Sequence, residues 1–282
     1  MHPARNFQGF FPPDTVEAVP VIHVADSTDP RLADYVALSD PPLRRRVEAE
    51  RGFFVAESPL VVRALMRSGR AVRSVLVTPA QHAVLADVLD PDLPGRRDLP
   101  VYVATDDVLR HVVGFDLHRG AVASGNRWSQ PSVASLVEGA RRIAVLEKLN
   151  DYENLGAVFR NAAAFGIDGV LLDAECADPL YRRCVRVSIG HVLTVPWTRV
   201  SSLDDLRSHG FTLLALTPAL DAVPLDEITW PDRCALLLGA EGPGLSPAWL
   251  DAADMRVRIP MRDSVDSVNV ATAAAIAFYA ST

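Results

Sequence analysis

Three short stretches hold the residues whose types and spacing could do chemistry. In "NDYENLGAVFRNAAAFG", residues 150–166, Arg160 follows Gly156 by one helical turn and Asn154 lies just upstream. Steps of 100° per residue put Leu155, Val158, Phe159 and Ala162 on one buried stripe and turn Arg160 about 150° from its centre, outward. A glycine at 156 is worth about 1 kcal/mol less than alanine in helix propensity, so its missing side chain should have a use. It either leaves room for a ligand beside the guanidinium or admits close packing, with the arginine merely on the surface. Asn150 and Glu153 have capping-box spacing and would start this helix. A guanidinium stays protonated to above about pH 12; it can hold an anion but is a poor free base.

The second stretch, "LLLGAEGPGLSPAWL", leaves an apolar strand through Gly239, Ala240, Glu241, Gly242 and Gly244 and starts a helix at Ser246 and Pro247. Glycines let backbone amides approach a ligand directly, although a tight turn before a capped helix accounts for much of the same pattern. The Gly-Lys-Ser/Thr of a phosphate loop is missing. In the third, "RIPMRDSVDSVNVATAAAIAFY", Ser267 and Asn269 stand where an alanine-rich helix begins, the ordinary place for caps. That helix has the small residues of a close packing surface, here expected at a subunit contact.

These stretches need a scaffold, and the chain supplies the pattern of one. Six runs in the second half, "RIAVLEKL", "GVLLD", "HVLTVPW", "TLLALT", "CALLLG" and "MRVRIP", are mostly continuously apolar. Such runs fit strands covered on both faces of a mainly parallel sheet, with ligands at the carboxyl ends. The first half alternates β-branched runs ("VIHVA", "GFFVAE", "VRSVLVT", "VYVAT", "AVAS") with helical stretches, which implies a smaller α/β domain. Ser58 before Pro59 reads as a capped helix start, and Gly69 as its end. Turn residues in "GNRWSQPSVASLVEG" put the boundary near residue 130. We expect a loosely ordered tail at 1–16, an N-terminal α/β domain at 17–130 and a C-terminal domain at 131–282.

Composition bounds the function. The 282 residues are 49% hydrophobic and 22% charged, and net charge is −7, against a surface that embraces nucleic acid all over. Yet residues 41–75 carry eight arginines against three glutamates, enough to steer a phosphate backbone or simply a solvated face. Cys176, Cys184 and Cys234 form no C-x-x-C pair, which favours a reducing cytoplasm with inert thiols. The start reads as a tail rather than a signal peptide, and no run is long enough for a membrane span. The seven histidines show no ligand spacing, so no metal is expected.

Taken together and in order, "NLGAVFRNAAAFG", "LLLGAEGPGL" and "IPM…DSVNVATA" resemble the three motifs of the SpoU/TrmH family of RNA ribose methyltransferases, in the SPOUT class. The likeness covers residues 143–282. "VRVSIGHVLTVPW" fits too, with His191 where a smaller residue is usual. More weakly, "FFVAESPLVVRAL" resembles the family's ribosomal-protein-like RNA-binding domain, Ser58 replacing its usual glycine. The resemblance implies an α/β fold with a mainly parallel sheet and a deep trefoil knot, a homodimer, and S-adenosylmethionine as cofactor. It implies cofactor contacts at Leu216, Thr217, Gly239, Ala240, Glu241, Gly242, Gly244, Ile259, Met261, Val268 and Asn269. Arg160, Asn154, Ser267, Asn269 and Glu241 would form the reactive surroundings, with Arg160 stabilising a ribose 2′-alkoxide and Glu241 fixing its loop.

By analogy the substrate is RNA, ribosomal rather than transfer RNA. Arg44, Arg45, Arg46, Arg63, Arg67, Arg70 and Arg73 would contact its phosphates, with Arg182, Arg183 and Arg186 extending the track. A non-catalytic knotted relative that binds RNA or senses the cofactor is the alternative; intact Asn154, Arg160 and Asn269 speak against it. A nicotinamide-dependent oxidoreductase would need G-x-G-x-x-G after the first strand, which is missing.

Overall fold

A computed structural model of the chain describes residues 21–115, 117, 120–262 and 265–282. The expected tail at 1–16 lies outside the described residues. In chain order the elements are β1 (Ile22–Val24), α1 (Pro41–Glu50), β2 (Phe53–Glu57), α2 (Pro59–Arg67), β3 (Val72–Val77), α3 (Pro79–Val84), α4 (Ala86–Leu89), β4 (Val101–Ala104), α5 (Asp106–Val113) and β5 (Ala121–Asn126). There follow α6 (Val133–Val137), β6 (Arg142–Leu146), α7 (Tyr152–Ala164), β7 (Gly169–Leu172), α8 (Arg182–Val187), β8 (Trp197–Arg199), α9 (Asp204–Ser208), β9 (Thr212–Leu216), β10 (Val223–Pro224), β11 (Cys234–Leu238), α10 (Pro247–Ala252), β12 (Met255–Arg258) and α11 (Val270–Ser281).

The first five strands form a mixed sheet, β1-β4-β3-β5-β2, in which β5 runs antiparallel to both neighbours. The other seven form a wholly parallel sheet, β10-β12-β9-β11-β6-β7-β8. Strands β7 and β11 are buried at every position, the reason their sequences are apolar throughout rather than alternating. Alternate residues serve the two faces: Ala144, Leu146, Leu236 and Leu238 pack with Val158 and Phe159 of α7 and Ala274 and Phe278 of α11. Ile143, Val145, Ala235 and Leu237 pack with residues of α6 and α9.

Three local expectations change, and one strand is added. "HVLTVPW" is a 3-10 turn over His191–Leu193 followed by β8, because Gly190, at φ +81°, turns the chain first. The α7 cap is Asp151, whose carboxylate accepts from the amides of Glu153 and Asn154, so the Asn150–Glu153 capping box does not form. Ser58 holds φ +91° with no side-chain cap bond; its backbone takes a conformation suited to glycine, and its amide donates to the Ala121 carbonyl. The two-residue β10 has too little sequence to be visible as a strand.

The two sheets meet along β2, α2, α8 and the 3-10 turn. Glu57, at the end of β2, accepts from Arg182 at 2.6 Å and Arg186 at 3.0 Å. Arg127 reaches Asp178 at 2.6 Å. The edge-on ring contacts Phe54–Trp128 and Trp128–Trp197 continue the core across the junction.

Candidate active site

Asn269 draws the three stretches together. It caps α11, its Oδ1 accepting from the amides of Ala271 and Thr272. Its Nδ2 donates to Asn154 Oδ1 at 2.8 Å and to Glu241 Oε1 at 2.5 Å. An asparagine suits this junction because one amide both accepts and donates. That bond ties Glu241, in the glycine loop, to the start of α11. Asn161, which the sequence reading passed over, donates to the Ala271 carbonyl at 2.8 Å and ties α7 to the first turn of α11.

Beside this knot of side chains lies a pocket of about 370 Å³ at the carboxyl ends of β9, β11 and β12. Leu216, Thr217, Gly239, Ala240, Glu241, Gly242, Gly244, Ile259, Met261, Ser267, Val268 and Asn269, all expected there or beside it, line it. Pro218, Leu238, Val270 and Ala273 line it as well; nothing in their types marks them out. The glycine loop closes on itself: the Gly244 amide donates to the Ala240 carbonyl at 3.0 Å. A Cβ on Gly239 would fall 2.1 Å from the Gly244 carbonyl carbon, so only glycine fits there. The wall thus combines apolar side chains with close-lying backbone, and the volume suits a small organic ligand.

Arg160 is exposed, does not line this pocket, and among the described residues has no carboxylate or carbonyl partner. Gly156 does not leave space beside it. Its Cβ would sit 2.8 Å from the Cys184 carbonyl and 2.9 Å from Val187 Cβ, so the missing side chain lets α7 and α8 pack closely. The ligand-room reading of Gly156 is therefore corrected.

Most of the expected phosphate contacts are engaged within the fold. Arg44 is 2% exposed and pairs with Glu48 at 3.0 Å; burial lowers its pKa and raises that of Glu48, against their mutual attraction. Arg63 and Arg67 share Asp87, and Arg73 meets Asp34 at 3.2 Å. Arg70 stacks 3.9 Å over Trp128 and donates to the Leu193 carbonyl; desolvation lowers its pKa. Arg182 and Arg186 hold Glu57. Arg45, Arg46 and Arg183 are exposed and without a carboxylate partner among the described residues.

The thiols fit their inert reading: burial pushes Cys176 up to about 12 and Cys184 and Cys234 above the ordinary thiol value. Among the described residues, no cluster of His, Cys, Asp or Glu could hold a metal ion. None of the described helices is long and apolar enough to cross a membrane.

Residues 141–279 match the SpoU rRNA Methylase family. An uncharacterised tRNA/rRNA methyltransferase of Mycobacterium tuberculosis (strain ATCC 25618 / H37Rv) is 46% identical over 93% of this chain and 92% of its own. The chain belongs to the SpoU/TrmH family of RNA methyltransferases. An AdoMet-bound rRNA methyltransferase from Sinorhizobium meliloti superposes with a TM-score of 0.76 at 24% identity, over 93% of this chain and 97% of that one, a likeness of fold. An RNA 2′-O ribose methyltransferase gives 0.72 at 26% identity, over 92% and 98%. The three stretches that Asn269 joins all lie within the matched residues.

Proposed function

We infer that this SpoU/TrmH chain methylates a ribose 2′-hydroxyl of RNA, ribosomal RNA rather than transfer RNA, with S-adenosylmethionine as donor. The observation that carries the reading is Asn269, bonded to Asn154 and Glu241 at the rim of a pocket lined by a glycine loop and apolar side chains. Those residues fit the cofactor: Leu216, Ile259, Met261 and Val268 would lie against its apolar parts, and the amides of the Gly239–Gly244 loop would meet its polar ones. When bound, it supplies a methyl carbon on a sulfonium, an electrophile needing no further activation.

The chain's own task is to orient the hydroxyl and manage its proton. Asn154, Ser267 and Asn269 form the polar wall that would hold the ribose, and such positioning can supply several kcal/mol of the barrier. Arg160 would grip the neighbouring phosphate and stabilise the forming alkoxide, the proton leaving to phosphate or water. Within one chain Arg160 stands outside the pocket, so a second copy is needed to bring it there. The apolar face of α11, with Ile276 38% and Tyr279 71% exposed, is the surface on which we place that homodimer. The trefoil knot belongs to the same reading.

The experiment is transfer of labelled methyl from S-adenosylmethionine to total RNA, followed by mapping of 2′-O-methyl sites. Label in ribose, lost in Arg160→Ala while cofactor binding persists, supports the reading. Label in a base, or none in any RNA, refutes it.

A further inference from the structure

The stretch densest in arginine is largely neutralised inside the protein, and that makes the leftover arginines informative. Arg45 and Arg46 lie on the solvent side of α1, opposite the buried Arg44 and Glu48. Arg45 Nη1 reaches across the junction of the two sheets to the Tyr152 hydroxyl at 3.3 Å, a bond that raises its pKa. A phenol neutralises nothing, so Arg45 keeps its full charge for another anion. Tyr152 is the first residue of α7, two before Asn154, and its ring packs 4.4 Å from that of Tyr181. Tyr181 in turn immediately precedes α8, which carries the exposed Arg183.

Contacts therefore connect α1 through the Tyr152–Tyr181 pair to the start of α8, and the uncompensated Arg45, Arg46 and Arg183 stand on the two helices that this chain of contacts joins, at the turn of α7 that also carries Asn154. Glu50 ends α1 and Glu153 follows Tyr152, both exposed, while Asp151 is taken up in capping α7. We propose that a single RNA strand crosses the junction here on its way to the candidate active site, its phosphates held by Arg45, Arg46 and Arg183. Tyr152 is a positioning residue, holding Arg45 against the first turn of α7. Of the seven arginines its sequence suggests, the N-terminal unit thus contributes Arg45 and Arg46 to this path, the others being engaged within the fold or left off it. This inference rests on the RNA-methylating reading of the site.

The test is binding of a short single-stranded oligouridylate to the full chain across a salt series, with cofactor affinity measured in parallel. The triple variant Arg45→Ala/Arg46→Ala/Arg183→Ala should bind at least tenfold more weakly. Each arginine removed should lower the slope of log K against log salt by about 0.7. Tyr152→Phe should weaken oligouridylate binding severalfold; Tyr152→Phe added to Arg45→Ala should do nothing further, a coupling that a merely structural tyrosine lacks. Arg256→Ala, paired with Asp251 at 2.9 Å, is the control and should change neither quantity. If the triple variant fails to fold, the single exposed-site variants carry the same reading. Unchanged affinity and slope overturn the proposal, as does equal binding of a polyaspartate peptide lost in the same variants. If wild-type protein methylates RNA yet these variants bind it normally, the path is wrong and the function stands; if it methylates no RNA, the function falls first.

Discussion

Replacing Glu57 by alanine separates two roles for Arg182 and Arg186, clamp or phosphate contact, by the sign of the result. The Glu57 side chain is 10% exposed and accepts at 2.6 Å from Arg182, itself 14% exposed, and at 3.0 Å from Arg186, which is 42% exposed. Breaking a buried ion pair by removing one partner costs about 3–5 kcal/mol, because the other charge is left uncompensated. Arg182 keeps the Leu38 carbonyl at 2.8 Å and the face of Phe115, which brings its share to about 2 kcal/mol. Arg186 is solvated enough that its bond is worth under about 1 kcal/mol. Glu57→Ala should therefore lower the unfolding free energy by about 3 kcal/mol, read in urea as a fall in midpoint at unchanged slope. Arg186→Gln should lose less than Arg182→Gln. RNA affinity, by contrast, should hold or rise, because two guanidiniums are released. A loss below about 1 kcal/mol in Glu57→Ala, at unchanged slope, would refute the clamp.

Gly156→Ala gains about 1 kcal/mol in helix propensity but drives a Cβ into the α8 backbone, an overpacking that costs about 1–3 kcal/mol. We expect a net loss near 1 kcal/mol and a lower Tm; a stabilised variant would show that α7 and α8 can separate freely. Asn269→Asp keeps the cap oxygen yet sets a carboxylate against Glu241, 2.5 Å away in the native pair, so methyl transfer should fall with α11 intact by circular dichroism. Adding Glu241→Gln should relieve the charge repulsion and restore cofactor affinity; no relief would mean that the contact does not shape the pocket. At pH 8 a disulfide reagent should leave Cys176, Cys184 and Cys234 unmodified until denaturant is added, since burial holds all three pKa values above the ordinary thiol range. Rapid labelling of native protein would contradict that burial.

The parallel sheet was legible because burial on both faces writes itself into the chain as unbroken apolar runs. The pocket was legible for a related reason: glycine at 239 answers a local steric demand, and a cap such as Asn269 works within four residues. "HVLTVPW" misled because its apolar residues suit a buried turn as well as a buried strand, and hydropathy does not distinguish the two. Asp151 won the α7 cap over Asn150 through a one-residue shift of helix start, a difference too small for spacing to resolve.

The arginines mark the limit of sequence reading. Eight of them in residues 41–75 look alike as letters, and charge acts over distances that the linear chain does not encode. Folding brought Asp87 to Arg63 and Arg67, Asp34 to Arg73 and, from over a hundred residues away, Arg182 and Arg186 to Glu57. By itself the sequence determined which segments must be buried and which backbone positions need glycine, since those depend on solvent and on immediate neighbours. Only the tertiary structure decided which charges remained for a ligand, because that depends on which partners meet in space.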